Sequence, residues 1–287
     1  MIAGEVTKRA KRRKVGIALG GGGAKGLAHI PVLQVLDKLD VDVVAVAGTS
    51  IGAIVGALYA SGRSGAEVGD AISDILHTPR TLQEALDAKR TFGWIELLGV
   101  SLGRSYILEA DGFMAELGEH LGVATFEELP IPLKVVAADF WEREEVVFDS
   151  GPLMPAISAS FCLPGVFKPV LINGRALVDG GSVNPVPFDL IRNDCDIVVA
   201  VDVLGKRTPD GDLIPSMSDA LFNSFQIAEK TIARQKLQSH KPDIYLEPVI
   251  ENVKVLEFQK AKQIYEQAQT ECKRLETELR SLIGDGW

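Results

Sequence analysis

The chain is predicted to be an α/β protein built on a mainly parallel central sheet, and three observations carry that prediction. Two short apolar runs, Val15–Leu19 and Val41–Ala47, each break on a glycine-bearing loop and pass into a helical pattern. Strand, loop, helix, strand is the unit that sets two strands parallel. Farther on, Asp196–Val203 is almost continuously apolar, as a strand covered on both faces must be.

The elements follow in order. Val15–Leu19 reads as a buried strand that Gly20 to Gly23 end, and Leu27, Ile30, Leu33 and Leu36 space out a helix over Leu27–Leu39. Val41–Ala47 is the second strand, and Ser50–Ala60 the next helix. Leu133–Asp139 is a third strand, with shorter ones at Glu145–Phe148 and Arg175–Asp179. Asp196–Val203 precedes a helix around Ala220–Leu237, and Ile244–Leu246 is the last strand. Residues 77–112 read poorly as regular structure but carry Phe92, Trp94, Ile95, Leu97 and Leu98 among glycines. That mixture fits a cap over a binding cleft or plain packing on the core. The stretch 251–287 holds a heptad seam: Phe258, Ala261, Tyr265, Ala268, Cys272, Leu275, Leu279 and Leu282. Such a seam lies on its own domain or pairs with a second copy as a homodimer.

Composition narrows the function. Of 287 residues, 46% are hydrophobic and 24% charged, enough for a sizeable core. A net charge of -9 argues against a nucleic-acid binder. One basic run, Lys8, Arg9 and Lys11 to Lys14, makes 1–13 a solvated arm or a contact for anionic lipid headgroups, at about 1 kcal/mol per basic side chain. The three cysteines, Cys162, Cys195 and Cys272, have no CxxC spacing, which fits a reducing compartment and argues against a zinc site. The apolar run after the basic arm is too short for a secretion signal, and no stretch is long enough to span a membrane. A soluble, cytoplasmic protein is expected.

The chemistry centres on a serine. Gly48-Thr-Ser50-Ile-Gly52 follows a buried strand and opens a helix of small residues, as a strained nucleophile elbow requires. Gly99-Val-Ser101-Leu-Gly103 matches the same pattern but follows no clean strand. The glycine run Gly20–Gly26 admits three readings. As a dinucleotide fingerprint it lacks the acid at the end of the second strand, and as a P-loop it fails because Gly26 follows Lys25. As an oxyanion hole it offers bare backbone N–H groups, each worth ~3–4 kcal/mol to a tetrahedral oxyanion. Adjacent parallel strands would bring this loop and Ser50 to one sheet edge.

A base for Ser50 is less obvious. Of four histidines, His240 alone comes late enough for the Ser, Asp, His order of α/β-hydrolases, and it sits in a polar segment. His29 reads as a packing or capping residue, and His77 and His120 show no partner. A carboxylate could serve if burial raised its pKa. Asp-Gly pairs occur at Asp111, Asp179, Asp210 and Asp285, and only Asp179-Gly180-Gly181 follows a strand and adds a second glycine. A hairpin turn is the competing reading of Asp179.

With Gly21-Gly-Gly-Ala-Lys-Gly26, Gly48-Thr-Ser-Ile-Gly52 and Asp179-Gly-Gly181 in place, the chain resembles the patatin-like phospholipase family over roughly Lys14 to Pro248. Val135–Asp139 with Val146–Phe148, and Ala159–Gly165 running to Pro169, add to the likeness. The resemblance implies a three-layer α/β/α sandwich and a catalytic domain over 14–250. It implies Ser50 as nucleophile and Asp179 as its base, a dyad without histidine. It implies the backbone of Gly21, Gly22 and Gly23 as oxyanion hole, with Lys25, Gly26, Gly48, Gly52, Gly180 and Gly181 completing the motifs. The implied reaction is hydrolysis of a lipid acyl ester through an acyl-serine, a dyad mechanism that needs no cofactor. No metal-ligand cluster is visible in the sequence, and peripheral contact at a membrane surface is the expectation the basic arm raises. Two positions depart from the pattern: Pro31, where many members have glycine, and Ala138, where threonine is frequent. A carboxylesterase using His240, and a non-catalytic member that recruits partners, are the competing functions.

Overall fold

The computed structural model describes residues 13–78, 111–206 and 214–284. Most of the predicted basic arm, most of the predicted cap and Ser101 lie outside them. Among the described residues one sheet holds β1 (Lys14–Leu19), β2 (Asp42–Thr49), β3 (Leu133–Asp139), β4 (Glu144–Phe148), β5 (Val170–Ile172), β6 (Arg175–Asp179), β7 (Ile197–Val201) and β8 (Ile244–Leu246). The strands β3-β2-β1-β7-β8 run parallel, while β4, β5 and β6 join through antiparallel ladders. The helices are α1 (His29–Lys38), α2 (Ile51–Ala60), α3 (Gly65–His77), α4 (Asp111–Leu121), α5 (Leu153–Ser160), α6 (Met217–Ser239) and α7 (Ala261–Ile283).

The alternation of β1 decides the layers. Val15, Ile17 and Leu19 point to one face, where α1 to α5 and α7 complete the main core. Ala18, with Ala45, Ala47 and Ala200 from neighbouring strands, points to the other. Small residues there let Val186, Phe188, Ile191 and Ala233 of α6 pack close to the sheet. The result is the expected three-layer sandwich with unequal faces.

Differences from the sequence reading have local causes. The first helix begins later than expected, because Gly23–Ala28 forms a 3-10 turn before α1. Strand β2 runs on to Thr49, because Gly48 and Thr49 still pair with Val135 and Val136 of β3. Strand β5 is too short for a periodicity, but its turn is Asn173-Gly174, both at positive φ, a hairpin signal in its own right. Helix α7 turns its stripe toward its own chain. Ile264, Ala268, Cys272, Leu275 and Leu279 are buried in the main core. Lys38 of α1 pairs with Glu276 at 2.8 Å, and Arg274 donates to the Tyr245 carbonyl. No helix among the described residues is long and apolar enough to cross a membrane.

Candidate active site

Ser50 and Asp179 meet because two strands share one edge of β3. Strand β4 occupies one edge of β3 over Val135–Asp139. The other edge is divided: β2 pairs with its first half, ending at Thr49 opposite Val136, and β6 pairs with its second half, ending at Asp179 opposite Ala137. β2 runs parallel to β3 and β6 antiparallel, so their C-terminal ends face each other at adjacent registers. Residues 129 positions apart in sequence are thereby placed in contact, and the Ser50 hydroxyl donates to Asp179 Oδ2 at 2.5 Å.

Each partner is held in turn. Ser50 has φ 56° and ψ -126°, a strained conformation for a residue with a side chain. The strain persists because the turn cannot relax outward: a Cβ on Gly52 would strike the Leu19 carbonyl. The Ser50 N–H donates to Ser160 Oγ at 2.8 Å. Thr49 donates its hydroxyl to the Asn184 carbonyl at 2.8 Å, tying the elbow to the turn after Asp179. Asp179 donates its N–H to the Cys162 carbonyl, and its Oδ1 accepts from Gly181 N–H at 2.8 Å. Ser50 is 7% exposed and Asp179 2%. Burial pushes the Asp179 carboxyl up to about 6, and the bonds from Ser50 and Gly181 hold it from rising further.

The glycine loop lies across the elbow. Gly20 N–H donates to the Val201 carbonyl, and the Gly20 carbonyl accepts from His29 Nε2 at 2.8 Å. Burial lowers His29 to about 4, so it is a neutral donor that pins the loop. Gly21, expected among the oxyanion donors, already gives its N–H to the Pro185 carbonyl at 3.0 Å. The expectation therefore narrows to Gly22 and Gly23, which line the cleft beside Ser50 and Asp179. Gly23 has φ 59°, and the backbone of Val255 lies where its Cβ would be, so no other residue fits. Lys25 is buried, and its ammonium reaches Gln226 of α6 at 3.1 Å. Gly26, Gly48, Gly180 and Gly181 each leave room for another residue, respectively Ile51, the start of α2, Val136 and Glu229.

The cleft is narrow, with a cavity volume of about 30 Å³. Its walls are mainly Phe161, Phe167, Phe222, Phe225, Leu256 and Phe258, with Gln226 and Glu229 as polar members. His240 is far from this edge. It is exposed at the end of α6, bonded to Ser239, and precedes β8 at the N-terminal side of the parallel strands. His77 bonds its own helix at Ser73. Sequence reasoning missed Ser160, the loop-pinning role of His29, and Glu229. The last left a signal: Phe222, Gln226, Glu229, Ala233 and Leu237 lie on one stripe of α6, where two polar residues interrupt an apolar face.

Comparison with known proteins shows the family. An uncharacterized NTE family protein of Mycobacterium tuberculosis is 35% identical over 212 residues, 73% of this chain and 55% of that one. Lysophospholipase NTE1 of Kluyveromyces lactis is 26% identical, covering 88% of this chain and 18% of its own length. This chain thus spans about half the length, or less, of the curated relatives it matches. Among solved structures, VipD from Legionella pneumophila aligns with a TM-score of 0.48 at 14% identity, over 92% of this chain and 67% of that one. The profile of patatin-like phospholipases matches residues 17–191, which include the glycine loop, Ser50 and Asp179. By that match, with the 35% identical relative, the chain belongs to the patatin-like phospholipase family.

Proposed function

We propose that the chain is a lipid acyl hydrolase that works through Ser50 and Asp179. The observation that carries this reading is the 2.5 Å contact between a strained elbow serine and a buried carboxylate whose pKa is raised to about 6. At neutral pH such a carboxylate is ionised yet basic enough to accept a proton. Ser50 Oγ attacks the ester carbonyl as Asp179 Oδ2 takes its proton. The carbonyl oxygen becomes an oxyanion facing the N–H groups of Gly22 and Gly23, with the α2 N-terminus favouring the charge. Collapse breaks the ester bond, and the leaving alcohol recovers the proton from Asp179. Water then attacks acyl-Ser50 with Asp179 again as base, releasing the fatty acid and restoring the hydroxyl.

The phenylalanine-rich cleft supports an acyl chain as the group bound, and a relative named as a lysophospholipase supports a lysophospholipid as one substrate class. Contact with a lipid surface has its own support. Phe140 and Leu171 flank Ala176 across the antiparallel ladder, so they share a face. Trp141 stands against Phe140 edge-on and is 74% exposed. Exposed aromatics of this kind settle at the headgroup level of a bilayer.

A fluorophosphonate probe, followed by peptide mapping, tests the reading. Ser50 is expected to carry the label. A label on Ser101 or another serine, or none in the presence of lipid micelles, would overturn it.

A further inference from the structure

Among the described residues four acidic side chains are buried: Asp139, Asp179, Asp202 and Glu229. Three are surrounded by donors. Asp139 has Arg175 and the N–H groups of Trp141 and Glu142. Asp179 has Ser50 and Gly181. Asp202 has Lys230, Tyr245 and the Leu204 N–H. Glu229 is 4% exposed and borders the cleft, and among the described residues neither a cation nor an N–H bonds its carboxyl group. Burial with few donors favours the protonated form of a carboxyl group.

Its position makes that proton relevant. Glu229 lines the cleft together with Ser50, Asp179, Gly22 and Gly23. Its Oε1 fills the space a Cβ on Gly181 would need, a point 3.1 Å from Asp179 Oδ1. A Cβ on Gly21 would lie 3.7 Å from the same oxygen and 3.3 Å from Ser50 Cβ. The carboxyl group therefore sits between the glycine loop and the Ser50–Asp179 pair, open to whatever ester occupies the cleft.

The charges around it act in the same direction. Burial, then the charges of Asp179 and Asp202, hold Glu229 well above the usual carboxylate range, and Lys25 opposes them. The Lys25 ammonium bonds Gln226 instead, and Lys230, next along α6, is paired with Asp202 and Glu247.

We propose that Glu229 serves the hydrolase as an un-ionised carboxylic acid, donating a hydrogen bond to an oxygen of the bound ester. This rests on the Ser50–Asp179 reading and adds a second titrating group to it. The two carboxyl groups have opposite requirements. Asp179 must be ionised to take the serine proton, so the rate rises with pH through about 6. Glu229 must stay protonated, because its ionisation removes a donor and places a negative charge beside the developing oxyanion. The rate therefore falls again at alkaline pH.

The test is the pH dependence of kcat/KM on a short-chain aryl ester between about pH 5 and 10 for four proteins: the wild type, Glu229→Gln, Glu229→Met and Ser50→Ala. The wild type is expected to give a bell. Glu229→Gln, whose amide still donates, should keep the acid limb and lose the alkaline one. Glu229→Met should lose the alkaline limb and at least about tenfold of its plateau rate, the worth of one directed hydrogen bond. Infrared difference spectra of wild type against Glu229→Gln near neutral pH should show the C=O stretch of a protonated acid. An alkaline limb unchanged in Glu229→Gln, a wild type without that limb, or the absence of that infrared band each overturns the proposal. Activity surviving in Ser50→Ala would instead overturn the dyad on which it stands. The infrared readout needs no turnover, so the two failures are separable.

Discussion

Asp139 and Asp179 end neighbouring strands of one sheet, are 3% and 2% exposed, and have opposite chemistry. Asp139 accepts from the N–H groups of Glu142 and Trp141 and from the Arg175 guanidinium at 2.6 Å. These donors, the Glu142 N–H and Arg175 foremost, hold its carboxyl below the usual range. Asp179 has a serine hydroxyl and one N–H, no cation, and burial pushes it up to about 6. The first is a structural anion that stays ionised into acid. The second is the group proposed as base, and it has no cation among its bonded partners. Burial is the largest influence on Asp179, whereas at Asp139 the donors outweigh it.

The sharpest way to break this contrast is Asp179→Asn. The proton acceptor is lost while the bond from Gly181 is retained, so ester hydrolysis should fall by roughly 10³–10⁴-fold or more. Stability should move the other way. A folded pKa raised from 3.8 to about 6 means that Asp179 favours the fold at low pH and loses that contribution as pH rises through 6. Asp179→Asn has no such loss, so it should gain about 2–3 kcal/mol on the wild type between about pH 4 and 8. Urea unfolding at both pH values checks this, and an equal stability difference at each would refute the raised pKa.

Ser160→Ala tests the elbow and not the base. It removes the acceptor for the Ser50 N–H, so the strained turn loses one hydrogen bond. The expected loss in kcat is about tenfold, with KM little changed, from a bond of about 1–1.5 kcal/mol. A wild-type rate would mean that the elbow is held by Thr49 and the close packing at Gly52 alone.

The smallest effect belongs to Arg175→Gln. It takes the cation from Asp139 and leaves the Asp179 surroundings intact. Turnover should stay within about twofold, since no bond to the dyad is lost. Thermal stability should fall modestly at neutral pH, and the difference should vanish only in acid strong enough to protonate Asp139 in both proteins. A large loss of activity would show that the two aspartates are coupled through β3 and β6.

Much of the site was legible in the sequence. Gly48 to Gly52 announced an elbow, and Asp179 stood apart from the other Asp-Gly pairs because a strand preceded it. Helices α3, α4 and α5 are absent from the sequence reading, although the Ser64 and Glu67 capping box and the spacing of Val68, Ala71, Ile72 and Ile75 mark α3. Gly21, Gly22 and Gly23 read alike, and the Pro185 carbonyl that takes the Gly21 N–H sets the first apart from the other two. The heptad reading of α7 left two partners open, and the side chains of α1 and β8 took the stripe.

The sequence by itself determined the local geometry: buried strands, the glycine loop, the strained elbow and the stripe of α7. These depend on periodicity and backbone sterics within a few residues, which the chain carries wherever it folds. The tertiary structure decided which groups meet. β6 lands on the β3 edge that β2 leaves free, which sets Asp179 against Ser50. α6 crosses the cleft and sets Glu229 against Gly181. Such meetings depend on strand pairing and helix docking between segments far apart in the chain, and the ionisation of each carboxyl group depends on the neighbours those meetings supply.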